Sequence, residues 1–126
     1  MSFSRAALSA TAVDVLCVLL FCAVGRRSHA EGLTLTGLAH TAWPFLCGTA
    51  VGWLIARAWR APRAIVPTGL IVWAATVAVG MGLRALSHQG VAPSFVAVAS
   101  AVTAVLLLGW RTGAWVYANY RERAAH

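Results

Sequence analysis

The chain contains no lysine and only three acidic residues, Asp14, Glu31 and Glu122, among its 126 residues. Water-facing domains of this size carry about a quarter charged residues, whereas here the share is 10%. Too little charge is present to build a soluble surface, so a bilayer is the expected solvent. No C-x-x-C or paired Cys/His spacing accompanies Cys17, Cys22 and Cys47, which argues against a redox dithiol or a zinc ribbon. Each cysteine sits in an apolar run and reads as a small buried hydrophobe. There is no Ser/His/Asp set, nucleophile elbow, glycine-rich phosphate loop or pair of catalytic carboxylates, so neither an enzyme nor a cofactor is expected. The net charge of +7 raises the question of nucleic acid. All ten positive residues are arginines that flank apolar runs instead of lining one face, and no nucleic-acid motif is present.

What the chain has in abundance is apolar sequence, 60% hydrophobic with a mean hydropathy of +0.77. About 20 apolar residues cross a bilayer core, and such runs must satisfy their own backbone hydrogen bonds there. Four spans are expected, at 6–25, 38–58, 65–86 and 91–110. They define an all-α, integral membrane four-helix bundle over 1–110, followed by an interfacial tail over 111–126. The breakers fall between spans: Gly32 and Gly37, Pro62 and Pro67, Gly90 and Pro93. Short second and third connections imply antiparallel neighbours. The first span could instead be a cleaved signal peptide, but Asp14 interrupts its apolar stretch and Arg26-Arg27 crowds the site where cleavage would fall. Phe21 before Cys22 excludes a lipobox.

Seven arginines (5, 57, 60, 63, 111, 121 and 123) share the side of the N-terminus, the second connection and the C-terminus, against three (26, 27 and 84) on the other. Positive charge is retained in the cytoplasm. Both termini are therefore expected inside, and the stretch GRRSH (25–29) outside.

Helical spacing places Ala7, Ala10, Thr11, Asp14 and Cys17 on one small, partly polar face of the first span, which should point into the bundle. In the second span Gly48, Gly52 and Ala56 form a small-residue seam, and in the third Gly69, Trp73, Thr76, Gly80 and Arg84 share a stripe. Trp43, Trp59 and Trp110 suit the interfacial belts, while Trp53 and Trp73 fall deeper. A weak internal echo joins AVGRRSHAEG (23–32) to AVGMGLRALSHQG (78–90), and AWPF (42–45) to APSF (92–95). It is compatible with a duplicated hairpin.

Two sets of residues could carry chemistry. Asp14 lies about 12 Å inside the first span by helical rise, where a carboxylate must be protonated, hydrogen-bonded or paired. Arg84 is the one charged partner expected within a span, with Thr11, Thr76 or a serine of the fourth span as hydrogen-bonding alternatives. On the outer face, Arg26, Arg27, His29, His40, Arg84, His88 and Glu31 could form an anion or lipid-headgroup site, since guanidinium suits phosphate and carboxylate. They could equally form a solvated rim. A metal site is not expected, because no histidine spacing fixes ligands. The candidate ligand-binding residues are Asp14, Arg26, Arg27, His29, Trp73, Thr76, Arg84 and His88.

The strings GRRSH (25–29), TAWPFLCG (41–48) with GW (52–53), PTG (67–69), GMGLR (80–84), PSFV (93–96) and LLGWR (107–111) occur in this order. As a set they resemble a domain-of-unknown-function family of short four-span membrane proteins, frequent in actinobacteria. The resemblance covers nearly the whole chain and implies four helices in the bacterial cytoplasmic membrane, but no reaction and no functional residues. Three functions remain open: a bundle binding an anionic or amphipathic ligand, lipid or partner; a small proton-coupled transporter using Asp14; and an accessory subunit of a larger complex. The chain is similar to small multidrug-resistance transporters in length and span number but lacks their motifs. Expected partners are the bilayer and either a second copy or a membrane complex.

Overall fold

Residues 4–28 and 34–125 are described by the computed structural model of the chain. The described residues are 88% helical. Four helices, α1 (Arg5–Ser28), α2 (Leu35–Ala56), α3 (Leu70–Leu86) and α4 (Pro93–Ala125), are joined where the breakers fall. Each belongs to a segment long and apolar enough to cross a membrane: Arg5–Gly25, Leu35–Ala56, Ile65–Leu86 and Pro93–Ala124.

Local chemistry sets the ends. Thr34 caps α2 by accepting from the Gly37 N–H at 3.0 Å, satisfying one of the orphan donors of a helix start. Arg57 closes α2 in the left-handed conformation, φ 50°, with its N–H donated to Leu54 O. A 3₁₀ turn, Ala58–Arg60, and a π turn, Ile65–Gly69, lead into α3. Val66 is extended (φ −121°, ψ 128°), so the regular helix begins only at Leu70, five residues after the apolar run does.

The helices pack as an antiparallel square in which α1 and α3 each lie between α2 and α4. Gly48 backs onto Thr76 and Gly52 onto Val72, so α2 and α3 run in opposite directions at close range. A Cβ on Gly48 would lie 2.7 Å from Ala75 O and 2.8 Å from Thr76 Cα. Only a small residue allows this approach, as expected of the seam. Antiparallel order recurs between α1 and α4 (Asp14 to Arg111, Phe21 to Phe95) and between α3 and α4 (Trp73 to Ser100, Arg84 to Phe95).

An apolar core occupies each end. Ala7, Ala10, Trp53, Ala58 and Val72 form one, and Val18, Phe21, Cys22, Ala42, Phe45 and Ala99 the other. The faces of α1 divide as the spacing requires: Ala7, Ala10 and Asp14 are buried, while Leu16 and Leu20 are exposed. Phe45 and Phe95, the last residues of the echoed AWPF and APSF, meet at 6.3 Å between centroids, and both pack on Phe21.

The fourth helix departs from expectation. The fourth span is expected to end at Trp110, with residues 111–126 as an interfacial tail. Instead α4 continues without a break for 33 residues, about 50 Å at helical rise. Arg111 consequently lies inside the bundle with 0% of its surface exposed. One of the seven arginines assigned to the inner side is therefore a core residue, and six remain to bias orientation.

Candidate functional site

Asp14 is held at the centre of four N–H donors and is itself 0% exposed. Arg111 grips both carboxylate oxygens, Nη1 to Oδ1 at 2.9 Å and Nη2 to Oδ2 at 2.8 Å. Two indoles complete the set: Trp53 Nε1 donates to Oδ2 at 2.8 Å, and Trp110 Nε1 donates to Oδ1 at 2.9 Å. Each oxygen thus accepts one guanidinium and one indole hydrogen. The remaining chemistry of Arg111 is local. Its Nε donates to Pro62 O at 3.0 Å, Nη1 also donates to Leu107 O at 3.1 Å, and the guanidinium lies 4.6 Å from the Trp110 ring centroid. Gly69 makes room for this side chain, since a Cβ there would lie 3.0 Å from Arg111 Cδ.

The partner of Asp14 is therefore Arg111, not Arg84, and neither Thr11 nor Thr76 bonds to it. Depth explains the difference: Arg111 is level with Asp14 on the antiparallel helix, whereas Arg84 lies toward the other end. Thr11 returns its hydroxyl to Ala7 O at 2.9 Å. Thr76 bonds Val72 O at 2.7 Å and shares a 2.8 Å hydrogen bond with Thr49. Trp110, expected in an interfacial belt, donates into the bundle instead. Charge that costs several kcal/mol alone in a bilayer is tolerated here because it is paired and hydrogen-bonded. Among the described residues, no buried side-chain nitrogen or oxygen lacks a partner.

The opposite end holds the other candidates. Arg84 leans over Phe95, its guanidinium carbon 4.4 Å from the ring centroid. It organises the turn between α3 and α4 through Nε to Gly90 O (3.0 Å), Nη2 to Gln89 O (3.1 Å) and Nη1 to Gln89 Oε1 (3.3 Å). His88 (φ 61°) and Gly90 (φ 91°) give that turn its left-handed corners. A cavity of about 250 Å³ opens here, with His40, Thr41, Arg84, Ser87, His88 and Gln89 on its polar side. A second cavity of about 550 Å³ shares Phe21, Gly25, Arg84, Gln89 and Phe95 with the first, then runs between α1 and α4 along Val24, Val98 and Val102.

The structure thus brings Arg84, His88 and His40 to one cleft, while Asp14 belongs to a separate cluster at the other end. Trp73 and Thr76 are used in packing, Trp73 by donating from Nε1 to Ser100 O at 3.0 Å. Arg26 and Arg27 continue α1 past Gly25, but their side chains, like His29 and Glu31 entirely, lie outside the described residues. The stripe Gly69–Trp73–Thr76–Gly80–Arg84 does face inward: Thr76 and Gly80 meet α2, and Gly69, Trp73 and Arg84 meet α4. Sequence reasoning missed Arg111 because an arginine at the end of an apolar run reads as a span terminus. The signal that could have found it is helical spacing carried through LLGWR, which puts Leu107 and Arg111 on one face.

Comparison with curated proteins and with solved structures finds no match to this chain. A family model does match, over residues 11–114. That region takes in Asp14, Trp53, Trp110, Arg111 and every described residue of the cleft, and the chain belongs to the family described as a protein of unknown function (DUF3054).

Proposed function

We propose that this protein resides in the bacterial cytoplasmic membrane with both termini inside and binds an amphipathic anion from the outer side. The ligand would enter the cleft at the meeting of α1, the start of α2 and the turn between α3 and α4. The carrying observation is the pair of adjoining cavities, polar at the mouth and apolar along α1 and α4. Among the described residues no acidic side chain lines either cavity, and Arg84 supplies positive charge where they join. A negative head beside Arg84, His40 and His88, with an alkyl chain along Val98 and Val102, satisfies both chemistries. Orientation rests on the arginines that remain outside the core, six against three.

This reading is favoured over proton-coupled transport by the state of Asp14. Both of its oxygens already accept two N–H groups each, so taking up a proton would break a bond to Arg111 or to an indole. A binding protein is also preferred to an enzyme, because the Ser87 hydroxyl of the cleft turns back to the Leu83 and Arg84 carbonyls rather than to a histidine.

Binding is tested with dodecyl phosphate, followed by intrinsic tryptophan fluorescence or calorimetry in a neutral detergent. Val98→Trp fills the apolar channel from an exposed position and is expected to weaken binding about tenfold, equivalent to roughly 1.4 kcal/mol. His40→Ala/His88→Ala should reduce the preference for dodecyl phosphate over an uncharged dodecyl glycoside. Equal binding of both amphiphiles by the wild type would refute the reading. Orientation is checked with Ser87→Cys after Cys17, Cys22 and Cys47 have been replaced. A membrane-impermeant maleimide is expected to label this cysteine from outside intact cells, and labelling only after lysis would reverse the topology.

A further inference from the structure

A second groove lies at the Asp14 end of the molecule, on the surface between α1 and α2. It measures about 430 Å³, and Thr11, Val15, Leu46, Ala50, Leu54 and Trp59 line it. Its surface is almost wholly apolar, because the threonines of its wall turn inward on their own helices. Thr11 donates to Ala7 O at 2.9 Å and Thr49 to Phe45 O at 3.0 Å. From Leu54 to Leu46 the groove follows α2 for about 12 Å, parallel to the helix, as an acyl chain lies in a bilayer leaflet.

The turn at one end of this groove is rich in arginine. Trp59 stands in its wall and belongs to the 3₁₀ turn Ala58–Arg60. Its immediate surroundings in the chain, Arg57, Arg60 and Arg63, are exposed, as is Arg5 at the start of α1. No acid offsets them at this end among the described residues. Asp14 is consumed by Arg111, and Glu122 sits between Arg121 and Arg123 on α4. The turn is well fixed: Arg60 N–H donates to Arg57 O at 2.9 Å, Ala61 N–H to Ala58 O at 3.2 Å, and Ala58 is 0% exposed. Exposed arginines therefore belong to and flank the turn that supplies Trp59 to the end of this apolar channel.

We propose that this groove is a site for one anionic phospholipid of the surrounding leaflet, with its phosphate at Arg57 and Arg60 and an acyl chain along Ala50 and Leu54. It is independent of the outer cleft: the two share no lining residue. Charge complementarity selects an anionic headgroup over a zwitterionic one, and the uncharged groove selects a lipid over a free phosphate.

Native mass spectrometry of protein extracted from bilayers of equal palmitoyl-oleoyl phosphatidylglycerol and phosphatidylcholine tests the site. The wild type is expected to retain one phosphatidylglycerol in preference to phosphatidylcholine. Arg57→Gln/Arg60→Gln should lower that preference by about fivefold per arginine, as expected for roughly 1 kcal/mol each. Ala50→Phe adds bulk at an exposed wall position without altering charge, and should reduce retention of either lipid while helicity is unchanged. Arg121→Gln/Arg123→Gln should leave the preference intact. Equal retention of the two lipids by the wild type, or an equal effect of the α4 pair, would overturn the proposal. So would a lipid-free dimer abolished by Ala50→Phe, which would assign the groove to a second copy of the chain.

Discussion

Arg111→Leu is expected to destabilise the bundle by about 3–5 kcal/mol, the cost of leaving a buried charge without its partner. Removal of the guanidinium takes two of the four hydrogen bonds from Asp14, and Trp53 and Trp110 cannot supply a compensating charge. Asp14→Leu should cost a similar amount from the other side, because Arg111 would keep its charge in a site that is 0% exposed. The double variant Asp14→Leu/Arg111→Leu is expected to cost less than the sum of the two single changes. Both charges then disappear together, although the two indoles lose their acceptors at a cost of about 1–3 kcal/mol per unmet donor. Unfolding in mixed micelles of a mild detergent and dodecyl sulfate provides the measurement. Simple additivity of the two single changes would show that the ion pair does not act as a unit. The cluster fastens α1, α2 and α4 together, and through Pro62 O it reaches the connection between α2 and α3.

The second large effect is expected at Gly48→Val, with a loss of about 3 kcal/mol, the upper end of ordinary overpacking. The atoms a side chain would meet are Ala75 O, Thr76 Cα and Thr76 O, all within 2.8 Å and all backbone. No rotamer change relieves such a contact, so α2 and α3 must separate. Separation would also stretch the 2.8 Å hydrogen bond between Thr49 and Thr76. Gly109→Val on α4 is the matched control. Nothing lies within 4 Å of the Cβ it would add, so a change within about 0.5 kcal/mol is expected there. If both substitutions had the same effect, helix propensity rather than interhelical distance would govern these glycines.

The structure shows why the two ends of the bundle call for different experiments. At the Asp14 end the polar groups satisfy one another and leave an apolar wall outside. At the Arg84 end the polar groups line an opening. Arg84 is itself engaged with Gln89 and Gly90, so it builds the mouth of the cleft while also contributing charge to it. For that reason the test of the cleft rests on Val98 and the histidines rather than on Arg84→Ala, which would dismantle the turn together with the site.

Hydrophobic run length and breaker placement, both local properties, determined the number of helices and their approximate ends. Helical periodicity was sufficient to choose the inward faces of α1 and α3. Ala7, Ala10, Asp14, Thr76 and Gly80 are buried in the structure as their spacing requires, because an amphipathic stripe must point into the bundle wherever lipid covers the rest. Partner choice depended on depth across helices far apart in sequence, which no local pattern encodes. Asp14 and Arg111 are separated by 97 positions, and they meet only because α4 runs antiparallel to α1 and does not stop at Trp110. The sequence contained the carboxylate and its problem, an unpaired charge in lipid. Only the packing of α4 against α1 supplied the guanidinium and two indoles that resolve it, and left Arg84 with the histidines at the other end.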